Sequence, residues 1–334
     1  MDKKIDLTII IPHYNTPSLL ERLLKSIPQR KDMQIIVVDD NSNVEIEKFQ
    51  AIKERYSKNV EFYRNNTGVQ SAGTCRNIGL ESAKGKWILF ADADDFFLPC
   101  MYDIVKKYFS SNFDIIFFVP TSIFLDTGEI SNRHLAYERR VKEYLADSSL
   151  ENTINLKSAR AREPWSKMIR RELIEKKRVR FSQSLYANDL LFSTVIGYYA
   201  KNIYASEETI YCITRSRGTL STRMDERAYD IRLDEYIKVW QFIIEKYGLT
   251  MFKKLHLNGA VQIYLAVRQH YGVNKYIQVI KKLRKERIPI FNVYAFCPSY
   301  FWKAFCSGIK YEHQNKVYHI NENSIPPAML GKTE

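Results

Sequence analysis

The stretch Trp87-Ile88-Leu89-Phe90-Ala91-Asp92-Ala93-Asp94-Asp95 runs five apolar residues straight into three aspartates within four positions. A short apolar run bounded by polar residues reads as a buried strand. In open α/β sheets, ligands bind just beyond the carboxyl ends of the strands. Carboxylates packed this densely repel one another unless a cation joins them. Hard oxygen donors suit Mg²⁺ or Mn²⁺, and Mg²⁺ is generally held by one or two carboxylates plus substrate phosphates. The chain has 16 aspartates in 334 residues, so an Asp-x-Asp arises by chance about once. A solvated turn after a strand is therefore the alternative to a metal site.

Outward from that stretch, the first 120 residues alternate. Ile5–Ile11, Gln34–Val38, Val60–Tyr63, Trp87–Ala91 and Ile115–Val119 read as strands. Between them, helices are expected over Pro17–Ile27, Val44–Tyr56, Ser71–Ala83 and about Pro99–Phe109. Leu19, Leu20, Leu23, Leu24 and Ile27 lie at helical spacing, with Thr16 as N-cap and Pro17 at the first helical position. Gly85 follows the third helix as a stop signal. Strand–helix alternation with apolar strands predicts an α/β fold: a doubly wound, mostly parallel sheet with helices on both faces. After Pro120 the rhythm changes. A hairpin is expected around Asp126–Gly128, a basic amphipathic helix over Trp165–Lys177 and another helix over Asp189–Ala200. Beyond Asp225 the pattern is wholly helical, over 226–247, 250–271 and 273–286.

Composition bounds the function. A chain of this length suggests about two domains, and 45% hydrophobic with 27% charged residues is ordinary for a soluble protein. No apolar run approaches the roughly 20 residues a membrane span needs. The run before Pro12 is too short for a signal peptide and lacks a cleavage site, so a cytoplasmic location is expected. Five scattered cysteines without a CxxC pair suggest neither a disulfide framework nor zinc. Residues 1–125 hold 16 basic and 16 acidic residues, whereas residues 126–334 hold 35 and 22 and so carry the whole +13. That asymmetry points to an anionic partner for the second part.

Three strand ends carry polar residues: Pro12-His13-Tyr14-Asn15, Asp39-Asp40-Asn41-Ser42, and the aspartate cluster. In a parallel sheet they converge on one crevice, although Asp40, Asn41, Ser42 or Asp95 would also serve as helix caps. Four motifs now stand in order: T-I-I-I-P-H-Y-N (Thr8–Asn15), I-I-V-V-D-D-N-S (Ile35–Ser42), R-N-I-G (Arg76–Gly79) and F-A-D-A-D-D (Phe90–Asp95). Together they resemble a family 2 glycosyltransferase. The resemblance is strong over residues 5–120. It is looser through Pro164–Arg171, Arg180–Phe192 and Tyr211–Ser221.

The resemblance implies a GT-A nucleotide-sugar-binding fold, with a catalytic domain over 1–222 and a helical C-terminal region over 223–334. Residues 1–120 would hold the nucleotide-sugar and 121–222 the acceptor. It further implies inverting transfer from a nucleotide-diphosphate sugar to a glycan or lipid-linked acceptor in cell-surface polysaccharide synthesis. Pro12 and Tyr14 would flank the base and Asp39 would bond it. Arg76 would line the nucleotide pocket, Asp92 would face ribose or diphosphate, and Asp94 the metal with Asp95 in support. A divalent ion would neutralise the leaving diphosphate. Inversion needs a carboxylate across the sugar to take the acceptor proton. The family places it second in a Glu-Asp pair at a helix start; here the pair is Asn188-Asp189, which makes Asp189 the expected base and puts Asn188 among the acceptor contacts. Trp165 and Lys167 would also line the acceptor cleft. A first-turn helix acid is the plain alternative for Asp189.

Competing functions fit less well. A nucleotidyltransferase would need a Gly-rich loop after the first strand, where Pro12–Asn15 has no glycine. A dehalogenase-type phosphatase carries its Asp-x-Asp on the first strand. A non-catalytic sugar-binding relative would be expected to lose the metal or base carboxylate, and both stand here. No nucleic-acid recognition motif is present. The basic, aromatic C-terminal part, including F-N-V-Y-A-F-C-P-S-Y-F-W-K-A-F (Phe291–Phe305), suits peripheral contact with an anionic membrane surface; an aromatic segment packed on the catalytic domain is the alternative.

Overall fold

Leu7–His13 forms β1, and every one of its seven residues is buried, as expected of a strand covered on both faces. The computed structural model describes residues 4–215 and 225–291, which fall into two compact units, one on each side of that gap. In the first unit β1 pairs in parallel with β2 (Met33–Asp39) and β4 (Trp87–Phe90), in registers Leu7↔Met33 and Leu7↔Trp87. β3 (Val60–Arg64) extends the parallel set beyond β2. The crossovers are α1 (Pro17–Ser26), α2 (Ile46–Tyr56) and α3 (Ala72–Ser82). Side chains alternate faces along a strand. Accordingly Ile36 and Val38 pack with Cys75 and Ile78 of α3, whereas Ile35 and Val37 join the main core with Leu20, Leu23 and Ile52 of α1 and α2. Ser71 caps α3 by accepting from Thr74 N–H; Thr16 stands at the N-cap of α1 without a side-chain cap bond.

The second half of this unit turns the sheet mixed. The elements are β5 (Phe96–Phe97), α4 (Met101–Lys106), β6 (Ile115–Phe124), α5 (Leu135–Ala146), α6 (Leu150–Ile154) running into a π-helical turn, β7 (Lys167–Arg170), α7 (Arg171–Lys177), α8 (Leu190–Tyr199) and β8 (Ile203–Arg215). The eight strands lie in the order β3-β2-β1-β4-β7-β6-β8-β5. β7 is antiparallel to both β4 and β6, β8 is parallel to β6, and β5 is antiparallel to β8. The α/β class with helices on both faces therefore holds, with antiparallel strands inserted in its second half. Residues 167–170 also correct the expected helix over Trp165–Lys177, whose first turn is strand. Met168 and Ile169 are wholly buried in the slot between β4 and β6, and that burial overrides the helical pattern of the basic residues. The hairpin near Asp126–Gly128 is present as a turn with one bridge, Ile123↔Ile130.

The second unit is helical. Asp225 caps α9 (Glu226–Lys254) by accepting from Ala228 N–H, and Gly248 interrupts that helix at φ +82°. α10 (Ala260–Arg268) and α11 (Val273–Lys285) follow. The chain leaves the helix at Leu255 and His256 (φ +54°), which shortens the helix expected over 250–271. Within the described residues no helix is long and apolar enough to cross a membrane. The looser resemblance over residues 216–221 and the expected readings for residues beyond Phe291 lie outside the described residues.

Candidate active site

The carboxyl ends of β1, β2 and β4 meet at one sheet edge, because the registers set His13 opposite Asp39 and Ile10 opposite Phe90. The first two ends are locked together. Asn15 and Asn41 adopt left-handed backbone (φ +54° and +63°), which Asn tolerates better than most residues. Asn15 Oδ1 accepts from Asn43 and Val44 N–H, and Asn15 N–H donates to Ser42 Oγ. Asp39 accepts from Ser42 Oγ (2.5 Å) and Ser42 N–H (3.0 Å), and pairs with His13 Nδ1 at 2.9 Å. Burial alone would raise the Asp39 carboxyl, but the bonds from His13 and Ser42 together hold it below the usual carboxylate range. His13 itself is buried, with its ring stacked on Phe49 at 4.5 Å. Pro12 is buried in β1, and the neighbouring Tyr14 is exposed at the mouth.

The three aspartates after β4 take different positions. Asp95 turns inward: Tyr211 Oη donates to Oδ2 at 2.8 Å and Thr214 N–H to Oδ1 at 2.7 Å, so the buried carboxyl ties this turn to β8. Burial, then Asp94 and Asp92, push it well above the usual range. Asp94 gives its carbonyl to Arg22 (2.5 Å) and to the Thr214 hydroxyl. Its carboxyl is raised to about 6, first by burial and then by the charge of Asp92. Asp92 is partly open and pairs with Arg76 Nη2 at 2.5 Å.

Arg76, on α3, is buried and forks. Nη2 reaches Asp92, while Nη1 donates to Asn188 Oδ1 at 3.0 Å, and the guanidinium lies 5.3 Å from the centre of the Phe181 ring. Residues 112 positions apart are thus joined through one side chain. The approach is close because Gly73 lacks a side chain. A Cβ there would collide with Ser182 O and come within 2.9 Å of Asn188 Cβ. Asn188 is anchored further by its amide to Ser184 O (3.2 Å) and its carbonyl to Ser182 N–H (3.1 Å). Asp189 follows at the N-cap of α8, yet its side chain makes no capping bond. Its carboxyl is raised chiefly by burial, which Arg76 opposes and Glu163 and Asp92 reinforce. A carboxylate at this place that does not serve its helix is available for other work.

Two expected acceptor contacts, Trp165 and Lys167, are buried. Lys167 is 1% exposed; its ammonium donates to Ala161 O at 2.8 Å and lies 5.2 Å from the Phe117 ring, and burial lowers its pKa to about 8. Trp165 is 4% exposed, stacked on Tyr211 at 6.1 Å and packed on Tyr137 at 5.3 Å, so neither ring face is open to a sugar. Three participants carry no sequence signal of their own role: Arg22 within an ordinary amphipathic helix, Tyr211 within a strand, and His13, which is visible only as part of Pro12–Asn15.

Among the described residues, no three His, Cys, Asp or Glu side chains converge to hold a metal by themselves. The crevice offers Asp92 and Asp94, with Asp95 committed inward. One or two carboxylates completed by substrate phosphates is an ordinary Mg²⁺ donor set, so the residues fit an ion that comes with a diphosphate.

The model of the family described as "Glycosyl transferase family 2" matches residues 8–177, half of the chain. Uncharacterized glycosyltransferase YibD of Escherichia coli (strain K12) is 24% identical over 295 residues, covering 86% of this chain and 81% of YibD. Among solved structures, S. aureus TarS 1–349 in complex with UDP-GlcNAc superposes with a TM-score of 0.57 at 18% identity, covering 80% of this chain and 73% of that one. Mannosyltransferase PcManGT from Pyrobaculum calidifontis, in complex with GDP-Man and Mn²⁺, gives 0.52 at 15%, covering 92% and 85%. At these identities the two structures establish likeness of fold.

Proposed function

The chain belongs to glycosyl transferase family 2, with a GT-A-like fold and a helical extension, and from that premise we propose that it transfers a sugar with inversion. The donor is a nucleotide-diphosphate sugar, of uridine type, and the acceptor a hydroxyl of a glycan or lipid-linked acceptor in cell-surface polysaccharide synthesis. Residues 1–222 are proposed as the catalytic domain, 223–334 as its helical extension.

One observation carries the reading: Arg76 joins Asp92, at the end of β4, to Asn188, the neighbour of Asp189. The bond supports a donor at the strand ends and a base at the start of α8 working across the same crevice. Pro12 and Tyr14 flank the base of the donor. Asp39, held ionised by His13 and Ser42, retains a free lone pair on Oδ2 for a base N–H. Arg76 and Asp92 receive ribose and diphosphate; Arg76 Nε, buried without a partner, is a spare donor beside them. Asp94 and Asp92 would hold Mn²⁺ or Mg²⁺, which when bound neutralises charge on the leaving diphosphate. Asp95 keeps this turn in place through Tyr211 and β8. Asp189 takes the proton of the attacking hydroxyl from the face opposite the leaving group.

The test is nucleotide release from a panel of UDP- and GDP-sugars with Mn²⁺ or Mg²⁺, with and without lipid-linked acceptors. Metal-dependent release with one donor class supports the proposal. No turnover of any donor overturns it in favour of a sugar-binding role.

A further inference from the structure

α10 and α11 form a hairpin that turns at Gly272 (φ +88°). Their inward residues are regular: Gln262 and Ala266 on α10, and Lys275, Val279 and Leu283 on α11, are buried at four-residue spacing. The opposite face is unusual for a water-facing surface. Val261, Tyr264 (62% exposed) and Val267 stand out on α10, and Val273 (68% exposed) and Ile277 on α11. The stripe Val273–Ile277 continues at the same spacing into Lys281 and Lys285, both exposed, with Arg284 beside them. Exposed Arg268 and Arg287 stand at the helix ends. Among the described residues none of these five cations is paired with a carboxylate. The only acid in residues 260–287 is Glu286, bonded to Gln241.

Single exposed apolar residues are commonplace, but three on the outer side of α10 and two on that of α11, within one hairpin, mark a contact surface. A second copy docking by two-fold symmetry would bring like charges together around the patch. A nucleic acid would use the cations and leave the apolar stripe wet. An anionic bilayer uses both, with apolar side chains at the acyl boundary and cations at lipid phosphates. We propose that this outer face of the α10–α11 hairpin docks the protein on an anionic phospholipid membrane. The contact rests on the proposed reaction only for its purpose, to bring the enzyme to a lipid-linked acceptor; binding itself is independent of turnover.

The experiment is co-sedimentation of the full-length protein with vesicles of phosphatidylcholine alone or mixed with phosphatidylglycerol, without donor. Binding to the mixed vesicles alone, weakened by salt, is expected. Tyr264→Ser/Ile277→Ser should weaken it roughly tenfold or more, and Lys281→Gln/Arg284→Gln/Lys285→Gln roughly a hundredfold. Donor turnover in vesicle-free solution should stay at the wild-type level in both. If circular dichroism shows a multiple variant unfolded, Ile277→Asn and Lys285→Glu are read in its place. Absent or charge-independent wild-type binding overturns the proposal, as do variants that bind normally. Variants that change the oligomeric state while vesicle binding persists assign the face to a second copy instead. Normal vesicle binding by a protein that turns over no donor would sink the proposed reaction and leave this contact standing.

Discussion

At the scale of the residue, the chemistry divides between a carboxylate that is used by the fold and one that is not. Asp95 is spent on Tyr211 and Thr214, whereas Asp189 sits at a helix start without capping it. Asp189→Asn should lower turnover by about 10²–10⁴-fold, the usual range for a lost general base, with donor affinity by calorimetry nearly unchanged. Loss of donor binding instead would make Asp189 a structural residue. Because burial raises the Asp189 carboxyl, its ionised, proton-accepting form is lost as pH falls through a value above the usual carboxylate range. The acid limb of the turnover profile should therefore stand above that range and vanish in Asp189→Asn. Asn188→Ala leaves Arg76 on Asp92 and removes its other anchor. Turnover should fall with little change in donor affinity, whereas Arg76→Ala should weaken donor binding as well, both read from steady-state kinetics.

At the scale of the element, α3 is the part on which the site depends. Gly73→Ala would drive a methyl group into Ser182 O, a backbone atom that cannot swing away, and should cost about 1–3 kcal/mol. Gly68→Ala meets nothing within 4 Å but carries φ +81°, so its cost should be confined to backbone strain of about 1 kcal/mol. Urea unfolding of both variants separates collision from strain, and equal losses would contradict the close approach. The parallel strands β1, β2 and β4 were legible in the sequence because each is an apolar run followed by a polar strand end, and those ends named Asp39, Asp92 and Asp94 directly; β8, parallel to β6, was not. β7 was not, since four residues beginning with a lysine carry too little period to compete with the helical pattern of the basic residues around them. Nor could Trp165 and Lys167 be placed by residue type: an indole and an ammonium suit a cleft and a core equally until packing decides. The Arg76–Asn188 bond spans 112 positions, and nothing local in either segment states the pairing.

At the scale of the whole molecule, the basic side chains serve two roles. In the first unit, cations such as Arg22 and Arg76 are turned inward onto the aspartate turn, while in the second, residues 260–287 carry unpaired cations outward. With Asp94 and an Asp92 already paired with Arg76 as the proposed ion holders, a metal should bind firmly only along with its donor. Chelation should stop transfer, Mn²⁺ or Mg²⁺ should restore it, and calorimetry should find metal binding weak without nucleotide and strong with it; strong binding to the bare protein would contradict the donor set described. The forked Arg76 also limits how such a chain can be recombined. A segment swap that imports residues 178–200 from a relative replaces one jaw of a clasp whose other jaw is α3. Chimaeras joined between Ser82 and Lys177 would mismatch Gly73 and Arg76 with a foreign loop, whereas those that carry 71–82 along with it keep the clasp whole. The inheritable unit of this clasp is in that sense discontinuous in the chain.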